Sequence, residues 1–167
     1  ITSYGAYIPR YRMDRKTIFQ AMGWFNAATA GVARGEKAVT NYDEDSNTMT
    51  VAAAMDCLNG FERNQIDGLY LGSMTLPFVE RQNAAICAEA MAFRPDIRTA
   101  DFCTSRKAGT TALIAACDAV KAGDLNNFLV CASFLTLMLC SSFPIKKKTS
   151  VPSNRLNLAR TSVPIFS

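Results

Sequence analysis

Apolar residues recur along this chain with two alternating periods, which predict strands and helices in turn. Residues 1–8 read as a strand stopped by Pro9, which has no N–H to donate. Residues 14–33 read as a helix, with Ile18, Ala21, Met22 and Phe25 on one face. Asp45 or Ser46 is the expected N-cap of a second helix that buries Val51, Ala54, Met55 and Leu58 and stops at Gly60. Residues 66–72 form a strand pattern, 82–92 a helix and 97–102 a strand. A helix over 106–121 then carries Leu113, Ala116, Cys117 and Val120 at helical spacing, and 127–132 closes the series as a strand. Strands separated by helices predict an α/β layered sheet flanked by helices.

Composition supports a folded core. With 167 residues, 49% of them hydrophobic, the chain is too apolar for disorder and large enough for one ordinary domain. The net charge of +4 is unevenly placed: residues 1–124 hold 13 Lys and Arg against 14 acids, whereas Lys146, Lys147, Lys148, Arg155 and Arg160 stand in a tail without acids. The body is therefore slightly acidic, which argues against a nucleic-acid partner. Six cysteines, Cys57, Cys87, Cys103, Cys117, Cys131 and Cys140, form no CxxC pair, and the chain has no His, so a zinc finger or ribbon is not expected. The cysteines read as buried free thiols of a reducing compartment. Without a basic-then-apolar leader, a cytoplasmic protein is expected. Residues 128–145 followed by three lysines approach a membrane span in length, but Ser133, Thr136, Ser141, Ser142 and Pro144 dilute the run, so no membrane association is expected.

The chemistry concentrates at residues 99–120, where a β-type run breaks into a Gly/Thr-bearing turn and a helix of small residues. That is the layout of a nucleophile elbow, in which unpaired N–H groups and the helix dipole favour a developing anion. Cys103 lies three residues before Arg106. Beside Arg106, Lys107 and a helix N-terminus its thiolate would be a competent nucleophile; as a strand-end residue it would instead be a small buried hydrophobe. Arg106 itself either binds an anion or pairs with an acid such as Asp101. The Asp43-Glu44-Asp45 run lacks the spacing of a calcium loop and reads as a solvated turn feeding a helix N-terminus, so no metal site is expected. Arg10, Arg12, Arg15 and Lys16 follow the first strand as candidates for phosphate groups, or as a solvated loop and first helical turn.

Four segments, ITSYGAYIPRYRM, NYDEDSNTMTVAAAMDCL, IDGLYLGS and ADF....KAGTTAL, together resemble hydroxymethylglutaryl-CoA synthases of the archaeal and bacterial type, members of the thiolase superfamily. The resemblance runs in order over residues 1–133. It implies one half of a thiolase-like layered fold and acyl-CoA condensing (acyltransferase) chemistry, with a coenzyme A thioester as ligand and no covalently bound cofactor. In that family a Cys carries the acyl group, a Glu acts as general acid/base, and a His comes from the second half of the chain. Here Arg106 holds the Cys position before the Lys-Ala-Gly-Thr turn, and Met74 holds the Glu position after Gly72-Ser73. Guanidinium is not a nucleophile and a thioether moves no proton. By the same resemblance, Arg10, Arg12, Arg15 and Lys16 become candidates for the phosphates of CoA.

The resemblance stops at residue 133, and residues 134–167 read as a divergent basic tail outside the family fold, the product of truncation, aberrant splicing or a shifted frame. In the superfamily two similar halves pack their central helices together around the active site, so a single half implies an exposed apolar layer on the 106–121 helix. Three readings follow: a condensing-family member with its reagents replaced; a non-catalytic subunit that binds acyl-CoA or a partner; and an inactive truncated product. The implied partners are acyl-CoA, a second copy of the chain, or a thiolase-like or zinc-ribbon/OB-fold companion.

Overall fold

The computed structural model describes residues 1–123, 125–134 and 137–144, the last strand by its backbone alone. Lys146, Lys147, Lys148, Arg155 and Arg160 of the expected basic tail lie outside the described residues. In chain order the elements are β1 (Ser3–Tyr7), β2 (Tyr11–Asp14), α1 (Arg15–Met22), a 3-10 turn (Ala27–Val32), β3 (Glu36–Val39) and α2 (Ser46–Cys57). A second 3-10 turn (Arg63–Gln65) leads to β4 (Gly68–Ser73), α3 (Asn83–Ala90), β5 (Arg98–Phe102), α4 (Ala108–Ala122), β6 (Asn127–Phe134) and β7 (Leu137–Pro144).

Five strands make one mixed sheet in the order β1-β7-β6-β4-β5. Strands β4, β5 and β6 are mutually parallel, and β7 runs antiparallel to both β6 and β1. It follows that β1 points the same way as β4, β5 and β6, so these four strands end at one edge. On one face, α2 and α3 cover a core that includes Met49, Ala53, Cys57, Leu69, Leu71, Cys87, Met91 and Leu129. On the other face α4 lays Ala112, Ala116 and Val120, successive i+4 positions, against Tyr70, Phe128 and Val130. Burying each of these large apolar side chains is worth about 1.5–3 kcal/mol. The expected α/β layered sheet is thus present. Beside it, β2 and β3 form a separate antiparallel hairpin that carries α1.

Asp45 caps α2 as expected: its carboxylate accepts from Thr48 N at 2.8 Å, and Thr48 Oγ1 accepts from Asp45 N at 2.8 Å. Gly123 ends α4 at φ 83°, in the left-handed region where a side chain is strained. Several expectations are corrected. The helix expected over residues 14–33 breaks at Gly23, because Asn26 turns its side chain onto Ala28 N at 3.1 Å and starts a 3-10 turn instead. In α2 the buried face is Met49, Ala53, Ala54, Cys57 and Leu58, while Met55 is exposed and Val51 only half-buried. In α4, Leu113 and Cys117 are half-buried.

The strand series does not close at residue 132. β6 continues to Phe134, and β7 enters the sheet between β6 and β1 from the segment that the sequence reading places outside the domain. Cys57, Cys87 and Cys131 are buried as expected, but Cys117 is only half-buried and Cys103 is exposed.

Candidate functional site at the carboxyl edge of the sheet

Parallel register places the ends of β4 and β5 side by side, with Gly72 opposite Phe102, while Ser73 stands opposite Ser133 of β6. Met74 therefore leaves the same edge of the sheet as the Cys103–Lys107 loop. Open α/β sheets bind ligands outside the carboxyl ends of their strands. Cys103, Arg106, Lys107 and Met74 are all exposed there. Thr104 sits at φ 64°, a conformation seldom adopted by β-branched residues. Ser105 shapes the remainder of the turn: its hydroxyl accepts from Lys107 N at 3.1 Å and its carbonyl accepts from Ala108 N at 3.0 Å.

Two glycines seat this turn on the sheet. A Cβ at Gly72 would lie 2.6 Å from Gly109 Cα, and one at Gly109 would lie 2.6 Å from Ala132 Cβ. The first turn of α4 thus rests directly on β4 and β6, closer than any side chain would allow.

Three helices begin at this edge, and they differ in how their N–H groups are satisfied. Asp45 caps α2. Asp101, on β5, accepts from Asn83 N at 2.6 Å, Ala84 N at 2.7 Å and Asn83 Nδ2 at 3.0 Å, and so closes the start of α3. The N-cap of α4 is Lys107, which makes no side-chain capping bond. Hence, among the described residues, α4 alone of the three presents its dipole without an anionic partner, and Arg106 and Lys107 add positive charge. The alternative partner for Arg106 is corrected: Asp101 is committed to α3, and Arg106 makes no ion pair among the described residues.

A hydroxyl cluster that the sequence does not reveal lies at the same edge. Ser46 at the start of α2 lies 3.3 Å from Ser73 Oγ and 2.8 Å from Thr75 Oγ1, and it donates to Thr75 O at 2.8 Å. Beside it Asn47 Nδ2 donates to Asn83 Oδ1 at 3.1 Å. The only sequence signal was the pair of short polar stretches that flank α2 and follow β4. Cys87 lies on this buried side, where desolvation first, then the charges of Asp101 and Asp45, push its thiol up to about 12. It is inert as a nucleophile.

The acidic run has no metal-binding geometry: among the described residues no cluster of three ligating side chains occurs. Glu44 instead accepts from the Tyr7 hydroxyl and, at 2.8 Å, from Asn41 N. Arg10, Arg12, Arg15 and Lys16 leave the sheet at the same edge, just after β1, and all are exposed on the hairpin and α1. Arg12 donates to the carbonyls of Pro9 and Tyr11.

No protein-family model matches the chain. Curated proteins do: it is 36% identical over 126 residues to the hydroxymethylglutaryl-CoA synthase of Methanosarcina barkeri, a match over 74% of this chain and 36% of that protein. The Thermococcus sibiricus hydroxymethylglutaryl-CoA synthase is likewise 36% identical over 125 residues, covering 74% of this chain and 34% of that one. The chain is a hydroxymethylglutaryl-CoA synthase homologue. It spans about a third of the length of the relatives it matches. Solved structures show the fold of this synthase homologue to be thiolase-like. Xanthomonas campestris OleA superposes with a TM-score of 0.77 at 11% identity, over 86% of this chain and 55% of that one. The Thermus thermophilus β-ketoacyl-[acyl carrier protein] synthase III superposes with a TM-score of 0.71 at 18% identity, over 87% and 51%. No helix among the described residues is long and apolar enough to cross a membrane.

Proposed function

We propose that this synthase homologue binds an acyl-CoA thioester at the α4 elbow but does not turn it over. One observation carries the reading: at an edge where α2 and α3 are capped by carboxylates, α4 makes no side-chain capping bond; the resemblance adds that Arg106 and Met74 stand in the positions for nucleophile and acid/base. The elbow retains the electrostatics of a condensing site without its reagents. Arg106 and the first N–H groups of α4 hold the thioester oxygen or a carboxylate, and Arg10, Arg12, Arg15 and Lys16 hold the phosphates of CoA. A crystal form of the OleA neighbour with lauroyl-CoA bound supports an acyl-CoA ligand for this fold. The exposed edge strand β5 and the exposed Ile114 on the outer side of α4 support association with a second copy, or with a thiolase-like or zinc-ribbon/OB-fold companion. Free thiols at Cys87, Cys103 and Cys117 support a reducing, cytoplasmic setting.

Acetyl-CoA incubation followed by intact-mass measurement tests the absence of turnover: no acetyl adduct is expected. Calorimetry tests binding, with Arg106→Ala weakening acyl-CoA by about tenfold, the loss of one charge-assisted hydrogen bond. Equal affinity in wild type and variant removes this role for Arg106.

A second reading rests on the exposure of Cys103. Its thiolate would attack the thioester carbonyl, form an acetyl-S-enzyme and release the CoA thiol. An adduct present in wild type and lost in Cys103→Ala establishes this reading and overturns the first.

A further inference from the structure

α1 is amphipathic in sequence yet buries no residue, and its apolar side chains turn toward a cavity instead of a core. The cavity, of about 560 Å³, lies between α1, the 3-10 turn that follows it and β3. That is within the usual size range of small-molecule sites. Phe19, Met22, Phe25 and Val32 supply apolar walls, and Arg15 and Lys37 supply the charge. Among the described residues no acidic side chain lines it. The backbone N–H of Arg15 donates to Gly35 O at 2.9 Å, which ties the start of α1 to the strand that carries Lys37. Neither cation forms an ion pair among the described residues. The two other polar residues of the lining are occupied locally: Asn26 accepts from Ala28 N, and Thr29 donates to Asn26 O.

An apolar groove with two unpaired cations and no acid is complementary to a single-chain anionic amphiphile. We propose that this cavity binds a linear fatty acid, with its carboxylate on Arg15 and Lys37 and its chain against Phe19, Met22, Phe25 and Val32. A carboxylate is matched by both cations, whereas a cationic head on the same chain meets like charge from each. The site shares Arg15 with the proposed phosphate contacts of CoA, whereas Lys37 takes no part in that reading and so separates the two.

The chain has one tryptophan, Trp24, whose ring packs edge-on against the cavity-lining Phe25 at 6.0 Å, so its emission next to the cavity is free of background from any other tryptophan. Dodecanoate bearing a bromine on its chain, titrated into the full chain below its micellar concentration, is expected to quench Trp24 fluorescence saturably. Calorimetry with plain dodecanoate gives the affinity, which should fall at least tenfold in Lys37→Glu and recover in Lys37→Arg, while CoA affinity is unchanged in both. Lys37 is exposed, so these variants should fold as wild type does. Equal binding of dodecyltrimethylammonium, quenching that begins only above the micellar concentration, or an unchanged affinity in Lys37→Glu each overturns the proposal.

Discussion

Gly109→Ala should destabilise the protein, although the same exchange in an unconstrained helix stabilises by about 1 kcal/mol. The new methyl would lie 2.6 Å from Ala132 Cβ. Carbon atoms prefer about 3.5–4.0 Å, so roughly an ångström must be found by moving α4 or β6. Neither is free to move, since Gly109 also backs onto Gly72 and Ala132 stands beside Gly72 in the sheet register. Overpacking of this kind costs about 1–3 kcal/mol, which outweighs the gain in propensity. The decisive experiment is a double-mutant cycle with Ala132→Gly, which removes the methyl that is struck. Alone, Ala132→Gly loses about 0.8 kcal/mol of buried methyl and about 0.5–1 kcal/mol of backbone entropy. Together the two changes exchange one methyl for another across the same gap, so they should couple favourably by about 1–2 kcal/mol. Urea unfolding followed by circular dichroism reads this directly, provided that the slope m stays constant. A neutral Gly109→Ala, or a cycle that is simply additive, would refute the direct seating of α4 on the sheet.

Asp101→Asn should cost about 1–3 kcal/mol in urea unfolding, because one carboxylate serves two backbone N–H groups and the Asn83 side chain; a change under 0.5 kcal/mol would show that α3 caps itself. The Tyr7–Glu44 bond makes stability pH-dependent at both extremes. Its hydrogen bond from Tyr7 holds Glu44 below its ordinary 4.5, so that contribution is present above 4.5 and is lost as pH falls through the lowered value. The same bond, then burial, raises Tyr7 above 10.0, so its contribution is complete below 10.0 and is lost as pH rises through the raised value. Tyr7→Phe should flatten both limbs and leave the slope between about pH 5 and 9 unchanged; a variant profile parallel to wild type at both ends contradicts this. Iodoacetamide at pH 8 should modify exposed Cys103 within the native state and leave Cys87, at about 12, untouched until unfolding. Peptide mapping that finds Cys87 labelled first reverses the assignment.

Much of the fold was legible because its signals are local. Asp45 caps α2 through bonds that span three residues, and Gly123 stops α4 through its own backbone angle, so both act within a few positions. The elbow was legible for the same reason, as a strand, a turn and a run of small residues in immediate succession. The misplacements have local causes too weak to read: Gly23 and Asn26 outcompete a helix whose apolar face has no core to bury. Met55 fits the helical period but lies on the edge of the face that β1 and the sheet cover, and so stays exposed. The strand Leu137–Pro144 lacks strict alternation, and its pairing on both sides is with strands near and far in sequence.

By itself, then, the sequence determined the alternation of strands and helices and the strand–turn–helix layout of the elbow, since identity and spacing settle these. Tertiary structure decided the rest. It alone set β7 between β1 and β6, brought the ends of β1, β4, β5 and β6 to one edge, and joined Ser46 to Ser73 and Thr75 across the sheet. It also gave Asp101 to α3, left Arg106 without an ion pair among the described residues, and set Cys103 in solvent. Hydrogen-bond partners and burial depend on which distant segments meet, and a carboxylate that caps one helix is no longer available to a neighbouring guanidinium.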